Sequence, residues 1–161
     1  MQREDILKGI KILIVDDEPD ILRTLQEVLD SSILDPATDF EAAKDLLEKN
    51  TYDAAILDIM GVRGYELLAL TRKKGIPTLM LTAHALSPEN LVASLKKGAN
   101  AYIPKDKIAD IRMFLEDVLE DRGKGHKKLG RWFSRLEPFF EEKFGAYWKE
   151  KSDPEFWKKY Y

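Results

Sequence analysis

The apolar positions follow two alternating patterns. Short apolar runs end abruptly in polar groups: Ile12-Leu13-Ile14-Val15 before Asp16-Asp17-Glu18, and Ala54-Ala55-Ile56-Leu57 before Asp58. Thr78-Leu79-Met80-Leu81-Thr82 ends in a hydroxyl, and Ala101-Tyr102-Ile103 stops at Pro104 with Lys105 directly behind it. Runs this short, bounded by charge or turn residues, predict buried parallel strands. Residues 32–37 predict a weaker strand, and Pro36 places it at a sheet edge.

Between these runs the apolar period becomes helical. Ile21, Leu22, Leu25, Val28 and Leu29 predict an amphipathic helix over roughly 19–30. Phe40, Ala43, Leu46 and Leu47 predict a second helix, with Thr38 as its N-cap and Glu41 completing a capping box. Gly61 and Gly64 mark a loop, a short helix covers about 64–73, and Gly75-Ile76-Pro77 punctuates it. Ser87-Pro88-Glu89 opens a fourth helix and Gly98 closes it. Asp106 is the expected cap of a fifth helix, whose face is Ile108, Ile111, Phe114, Leu115, Val118 and Leu119. Strands alternating with helices predict βαβ units and one three-layer α/β domain around a parallel sheet.

A different pattern begins after Gly123-Lys124-Gly125. Leu129, Trp132, Phe133, Leu136, Phe140, Phe144 and Tyr147 keep helical spacing, and Pro138 predicts a break or kink. Ser152-Asp153-Pro154-Glu155 combines a cap, a first-turn proline and a capping-box glutamate, so a last short helix should run through Tyr161. Charge divides at the same place. Residues 1–123 hold 16 Lys and Arg against 23 Asp and Glu, a balance of −7; residues 124–161 hold 10 against 6, a balance of +4. Of the 16 aromatic residues, 11 lie in this tail. The chain therefore reads as a domain over 9–123 and a helical, aromatic-rich extension over 124–161.

Those 11 rings amount to roughly 2,000 Å² of surface. A monomer seldom exposes an apolar patch beyond about 300–600 Å², so the tail must be covered by the domain, by a second copy or by a partner. Basic residues among aromatics also suit nucleic acid or a membrane surface. Five tail glutamates dilute that field, and about 36 residues are too few for a helix-turn-helix or winged helix. Nucleic-acid binding is therefore the least favoured reading. The chain has no cysteine, so disulfides and thiolate metal sites are excluded. No apolar run reaches the roughly 18–20 residues of a membrane span, and Met1-Gln2-Arg3-Glu4-Asp5 does not open a signal peptide. A cytoplasmic location is expected.

A parallel sheet places its sites outside the carboxyl ends of its strands. Here those ends supply Asp16 and Asp17, then Asp58, Thr82 and Lys105. Two carboxylates about 4 Å apart repel by roughly 4 kcal/mol at an effective dielectric of about 20, so a cation is needed among them. Oxygen-only ligands favour Mg²⁺, and two histidines make zinc a poor fit. A carboxylate beside such an ion suits nucleophilic attack on phosphorus.

With these residues in place, 11–121 resembles a response-regulator receiver domain of two-component signalling. The matching segments are I-L-I-V-D-D-E at 12–18, A-I-L-D-I-M at 55–60, L-M-L-T-A at 79–83 and G-A-N-A-Y-I-P-K at 98–105. The resemblance implies a CheY-like, flavodoxin-like sheet of order 2-1-3-4-5 with helices on both faces. It implies that Asp58 accepts a phosphoryl group from a histidine kinase or phosphotransfer protein. Asp17 would bind Mg²⁺ directly, Asp16 chiefly through water, with Asp58 and the backbone carbonyl of Met60 completing the site. Lys105 would pair with the phosphoryl group. Thr82 would move toward it and couple to Tyr102, altering the face made by the fourth helix, fifth strand and fifth helix. Ala83 and His84 are candidates for tuning dephosphorylation, and Arg63 for meeting a phosphate. Such a protein is a phosphoacceptor, not a turnover enzyme.

Two features depart from the family pattern. The loop Gly61-Val62-Arg63-Gly64 is about two residues short, and Lys105 is followed by Asp106 where a proline, with its cis peptide, is usual. Neither removes a reactive group. The leading expectation is a phosphoryl-dependent switch of a protein–protein surface, with homodimerisation through the tail or the fourth helix–fifth strand–fifth helix face as one form of output. The alternative is a receiver-shaped adaptor, assembled through its tail and indifferent to phosphorylation.

Overall fold

The computed structural model describes residues 4–121 and 129–160. The junction at Gly123-Lys124-Gly125 and the final Tyr161 lie outside the described residues. Strands β1 (Lys11–Val15), β2 (Ile33–Ala37), β3 (Ala54–Asp58), β4 (Thr78–Thr82) and β5 (Ala101–Pro104) form one parallel sheet ordered β2-β1-β3-β4-β5. β3 and β4 are buried along their whole length, as is β1 from Ile12 onward, which is why these segments read as unbroken apolar runs. β2 is the edge strand, and it carries Pro36. Helices α1 (Pro19–Val28), α2 (Phe40–Lys49), α3 (Gly64–Lys73), α4 (Pro88–Lys96) and α5 (Ile111–Asp121) alternate with the strands. α1 packs with α5, and α2 with α3, on opposite faces of the sheet.

Several helix ends differ from the sequence reading. Asp39, not Thr38, caps α2: its backbone is extended and its carboxylate accepts a bond from Ala42 N at 2.8 Å. This shift of one residue removes Glu41 from the capping-box position. Ser87 caps α4 as expected, accepting from Asn90 N at 3.0 Å. Asp106 caps nothing. Residues Lys105–Asp110 wind as a 3₁₀ turn, interrupted at Lys107, and α5 begins only at Ile111. Lys105 is the first residue of that turn, and its ion pairs at the sheet edge fix the direction in which the chain leaves β5.

The tail forms α6 (Arg131–Phe144), α7 (Trp148–Ser152) and α8 (Pro154–Tyr160). Pro138 does not break α6. It lies on the exposed side, where its ring meets solvent, while Trp132, Phe133, Leu136 and Phe140 are buried on the other side. An interior proline costs about 3 kcal/mol, and burying a single large apolar side chain returns about 1.5–3 kcal/mol. Four such residues outweigh it. The break comes at Gly145, whose φ of 87° is open to glycine.

These helices fold back over α4, β5 and α5. Phe140 is fully buried and lies 6.2 Å, ring to ring, from Tyr102 of β5. Phe133, Phe144, Trp148 and Trp157 complete a continuous aromatic cluster around it. Polar contacts rim the cluster. Arg135 makes a two-pronged pair with the buried Asp117 of α5, at 2.7 and 3.2 Å, and Arg131 reaches the same carboxylate at 3.6 Å. Lys96 of α4 meets Asp153 at 2.5 Å, and Lys107 lies over the Phe139 ring. Among the described residues the large exposed apolar side chains are Ile33, Met60 and Tyr147, scattered over the surface. Among the described residues of the tail, the rings of Trp132, Phe133, Phe140, Trp148, Phe156 and Trp157 find their cover within the chain.

Asp117 is an acid buried on an otherwise apolar face, and removing its charge leaves two arginines facing a neutral amide. Both arginines retain 40 % or more side-chain exposure, which moderates the loss. Asp117→Asn is expected to destabilise the chain by about 1–2 kcal/mol, read as a lower urea midpoint; an unchanged midpoint would remove this pair from the account of how the tail is held.

Candidate functional site

Strand register assembles the site. Val15 pairs with Leu57, Asp58 with Leu81, and Thr82 with Pro104. Asp16 and Asp17 follow Val15, and Lys105 follows Pro104, so all five groups arrive at one edge of the sheet. Asp16, Asp58, Thr82 and Lys105 are buried, whereas Asp17 and Glu18 face solvent. The Lys105 ammonium lies 2.8 Å from Asp16 Oδ2, 3.4 Å from Asp58 Oδ1 and 3.9 Å from Glu18 Oε1. Pro104 at the end of β5 and the 3₁₀ turn after it aim the lysine; no cis peptide occurs among the described residues.

One lysine faces three carboxylates, with Asp17 beside them. Burial, and next to it the charge of Asp16, raises the Asp58 carboxyl from 3.8 to about 6, with Lys105 opposing. Asp16 is also raised, chiefly by burial, against the pull of Lys105. Burial alone would lower Lys105, but Asp16, Asp58 and Glu18 outweigh it and hold the ammonium more firmly protonated. Asp16 Oδ1 accepts a bond from Glu18 N at 2.9 Å, while the buried Oδ2 has the Lys105 ammonium as its partner at 2.8 Å.

These residues fit a hard divalent cation. Oxygens of Asp16, Asp17 and Glu18, all hard donors, lie within 4.8 Å of one another. The loop after β3 closes around the same place. A Cβ at Gly61 would lie 2.7 Å from Asp17 Cγ, and one at Gly64 would lie 2.8 Å from Ile59 Cα. Gly61 also holds a φ of 86°. Both glycines let the short loop press against the acids. Glu18 was not among the candidates. Its signal was its place as the third acid of the Asp-Asp-Glu run.

The other candidates separate. Thr82 Oγ1 accepts a bond from Ala85 N at 3.1 Å, which points it into the loop after β4. Tyr102 is fully buried; its hydroxyl donates to Ala85 O at 2.8 Å and accepts from Ser87 N at 3.1 Å. Ala83 and His84 are exposed at the pocket rim, with His84 Nε2 3.9 Å from Glu18 Oε1. The Met60 side chain is exposed. Arg63 is directed away from the acids. It holds a left-handed backbone (φ 56°), pairs with Glu66 and stacks 3.9 Å from the centroid of Phe40.

Known proteins agree with this architecture. The profile of the response regulator receiver domain matches residues 12–116, and the chain belongs to that family of two-component signalling proteins. It is 32% identical over 144 residues to the response regulator MprA of Mycobacterium sp. (strain KMS), covering 83% of this chain and 62% of that protein. It is 33% identical over 105 residues to the transcriptional regulatory protein TcrA of Mycobacterium tuberculosis, covering 62% of this chain and 41% of that protein. The chain thus spans less than two thirds of these relatives. A putative response regulator from Chloroflexus aurantiacus superposes with a TM-score of 0.63 at 30% identity, over 70% of this chain and 99% of that one. Members of the family are generally signalling proteins, and receiver domains typically bind Mg²⁺ at an acidic pocket. No helix among the described residues is long and apolar enough to cross a membrane.

A carboxyl whose folded value is raised binds more protons folded than unfolded between pH 3.8 and about 6. Stability therefore falls as pH rises through that window, and the cost of the charge is fully present above it. Without divalent cation, Asp58→Asn should stabilise the chain at pH 7 by on the order of 2 kcal/mol, a gain that fades toward pH 4. Urea midpoints across that range test this, and a pH-independent effect would contradict it.

Proposed function

We propose that Asp58 accepts a phosphoryl group from the phosphohistidine of a partner kinase or phosphotransfer protein, and that this modification is the input signal of the chain. The observation that carries this reading is the Lys105 ammonium, 2.8 Å from Asp16 and 3.4 Å from Asp58 in a buried pocket at the carboxyl edge of a parallel sheet. No purely structural need requires three buried ionisable groups to converge there.

Each group has a defined task. A carboxylate oxygen of Asp58 attacks phosphorus, the bond from phosphorus to the donor imidazole nitrogen breaks, and the departing imidazole carries away the electron pair and takes a proton. Asp58 must be ionised to attack, and with a value of about 6 it is mostly so at neutral pH. Lys105 offsets negative charge gathering on the phosphoryl oxygens. Thr82 stands at the end of the neighbouring strand, where its hydroxyl can donate to the phosphoryl group. Asp16 and Asp17, with Asp58, Glu18 and the Met60 carbonyl as further oxygens, would hold Mg²⁺. That ion would draw the carboxylate and phosphoryl oxygens together against their mutual repulsion. His84 and Ala83, exposed at the rim, stand where they can affect water reaching the phosphoryl group.

In this reading residues 9–123 are the cytoplasmic receiver and 124–161 an extension that serves its output. The ion pairs of Arg131, Arg135 and Lys149 leave the tail a weak basic field for nucleic acid. Incubation with Mg²⁺ and acetyl phosphate should add one phosphoryl group to the intact chain, measured by mass. Asp58→Asn should abolish the gain, and chelation of Mg²⁺ should reduce it by at least tenfold. Labelling that persists in Asp58→Asn would overturn the assignment.

A further inference from the structure

We infer that residues 131–160 are a partner for the α4–β5–α5 face carried on the same chain, and that phosphorylation of Asp58 loosens their hold through Thr82, Ala85, Tyr102 and Phe140. This rests on the reading of Asp58 as the phosphoryl acceptor, and adds to it what the signal acts upon.

The face and the tail are complementary in detail. α4 offers Lys96 to Asp153, the 3₁₀ turn offers Lys107 to Phe139, and α5 offers the buried Asp117 to Arg135 and Arg131. β5 contributes Tyr102 to the aromatic cluster at Phe140. Every element of the face is met by a tail residue of matching chemistry. An acid as deeply buried as Asp117 has a place on α5 only with those arginines above it.

A short series of contacts joins the tail to the pocket. Thr82 ends the strand beside Asp58, and its Oγ1 holds Ala85 N at 3.1 Å. Ala85 O in turn holds the Tyr102 hydroxyl at 2.8 Å, and the Tyr102 ring lies 6.2 Å from that of Phe140. If the Thr82 hydroxyl turns to a phosphoryl oxygen on Asp58, Ala85 N loses its acceptor. The loop after β4 must then re-form, and Tyr102, with no exposed surface, cannot adjust without moving against Phe140. The tail is seated where Thr82 holds Ala85 and Ala85 holds Tyr102, so an arrangement in which Thr82 lets go of Ala85 seats it less well. Linkage makes the effect reciprocal: if phosphorylation weakens the tail's seat by some factor, a seated tail opposes the phosphorylated state by that same factor, and loosening the seat can recover up to that factor.

All three tryptophans of the chain, Trp132, Trp148 and Trp157, lie in the tail and are buried. Their emission reports its seating in the intact protein. Saturation with Mg²⁺ and beryllium trifluoride, a stand-in for the phosphoryl group, should shift that emission to the red. Amide exchange across 131–160 should quicken by about fivefold or more. In Phe140→Leu, the beryllium trifluoride concentration for half-saturation, followed by fluorine NMR, should fall by a similar factor. Arg135→Met, at the rim, should move it in the same direction if Phe140→Leu does not fold. Tyr102→Phe, which keeps the ring but loses the bond to Ala85, should shrink the tryptophan response at full saturation. Binding of the probe with unchanged emission and exchange, or with slower exchange, overturns the inference while Asp58 remains the acceptor. Failure of the wild-type chain either to bind the probe or to gain a phosphoryl group overturns both.

Discussion

The uneven balance of charge at the carboxyl edge of the sheet organises this molecule. Lys105 alone cannot neutralise Asp16, Asp17, Glu18 and Asp58, and burial denies the inner carboxylates the water that would screen their charge. The sheet holds these groups together because β1, β3, β4 and β5 are fixed in register by continuous apolar packing. A slip of one residue in any of them would turn a site residue toward the opposite face. The pocket is therefore strained electrostatically and rigid mechanically. That combination suits the proposed role, in which a divalent cation and a phosphoryl group meet at Asp58.

Much of this was legible in the sequence. The four buried strands announced themselves as apolar runs ending in a reactive side chain, and family resemblance supplied the sheet order that the structure displays. The ends of elements were harder to read. Thr38 and Asp39 are both good caps, and only the backbone geometry decides that Asp39 takes the role. Asp106 looked like a cap because the constraint that displaces the helix start, Lys105 reaching back to Asp16, spans about ninety residues of sequence. Glu18 was hidden by its ordinariness beside two more prominent acids.

The tail was the least legible part, for a physical reason. Helical spacing identifies a buried face but not what covers it. Pro138 suggested a break because the cost of an interior proline is local, whereas the burial of Trp132, Phe133, Leu136 and Phe140 that offsets it is tertiary. Asp117 carried no signal of its own in the sequence; the arginines that accompany its burial, Arg131 and Arg135, lie beyond the predicted domain. The opposite charge balances of the two segments were the one signal that they belong against each other.

Pro36 gives the edge strand a further property. Ile33 N donates to Ile10 O, and Ala37 O accepts from Asp16 N, so alternate residues 33, 35 and 37 bond to β1. The backbone of residues 34 and 36 consequently faces outward along the open edge of the sheet. With proline at 36, one of those two outward positions has no N–H to offer, and an incoming strand cannot complete a ladder there. This open edge of the sheet is thus a poor template for aggregation, even though the exposed Ile33 beside it would otherwise invite contact.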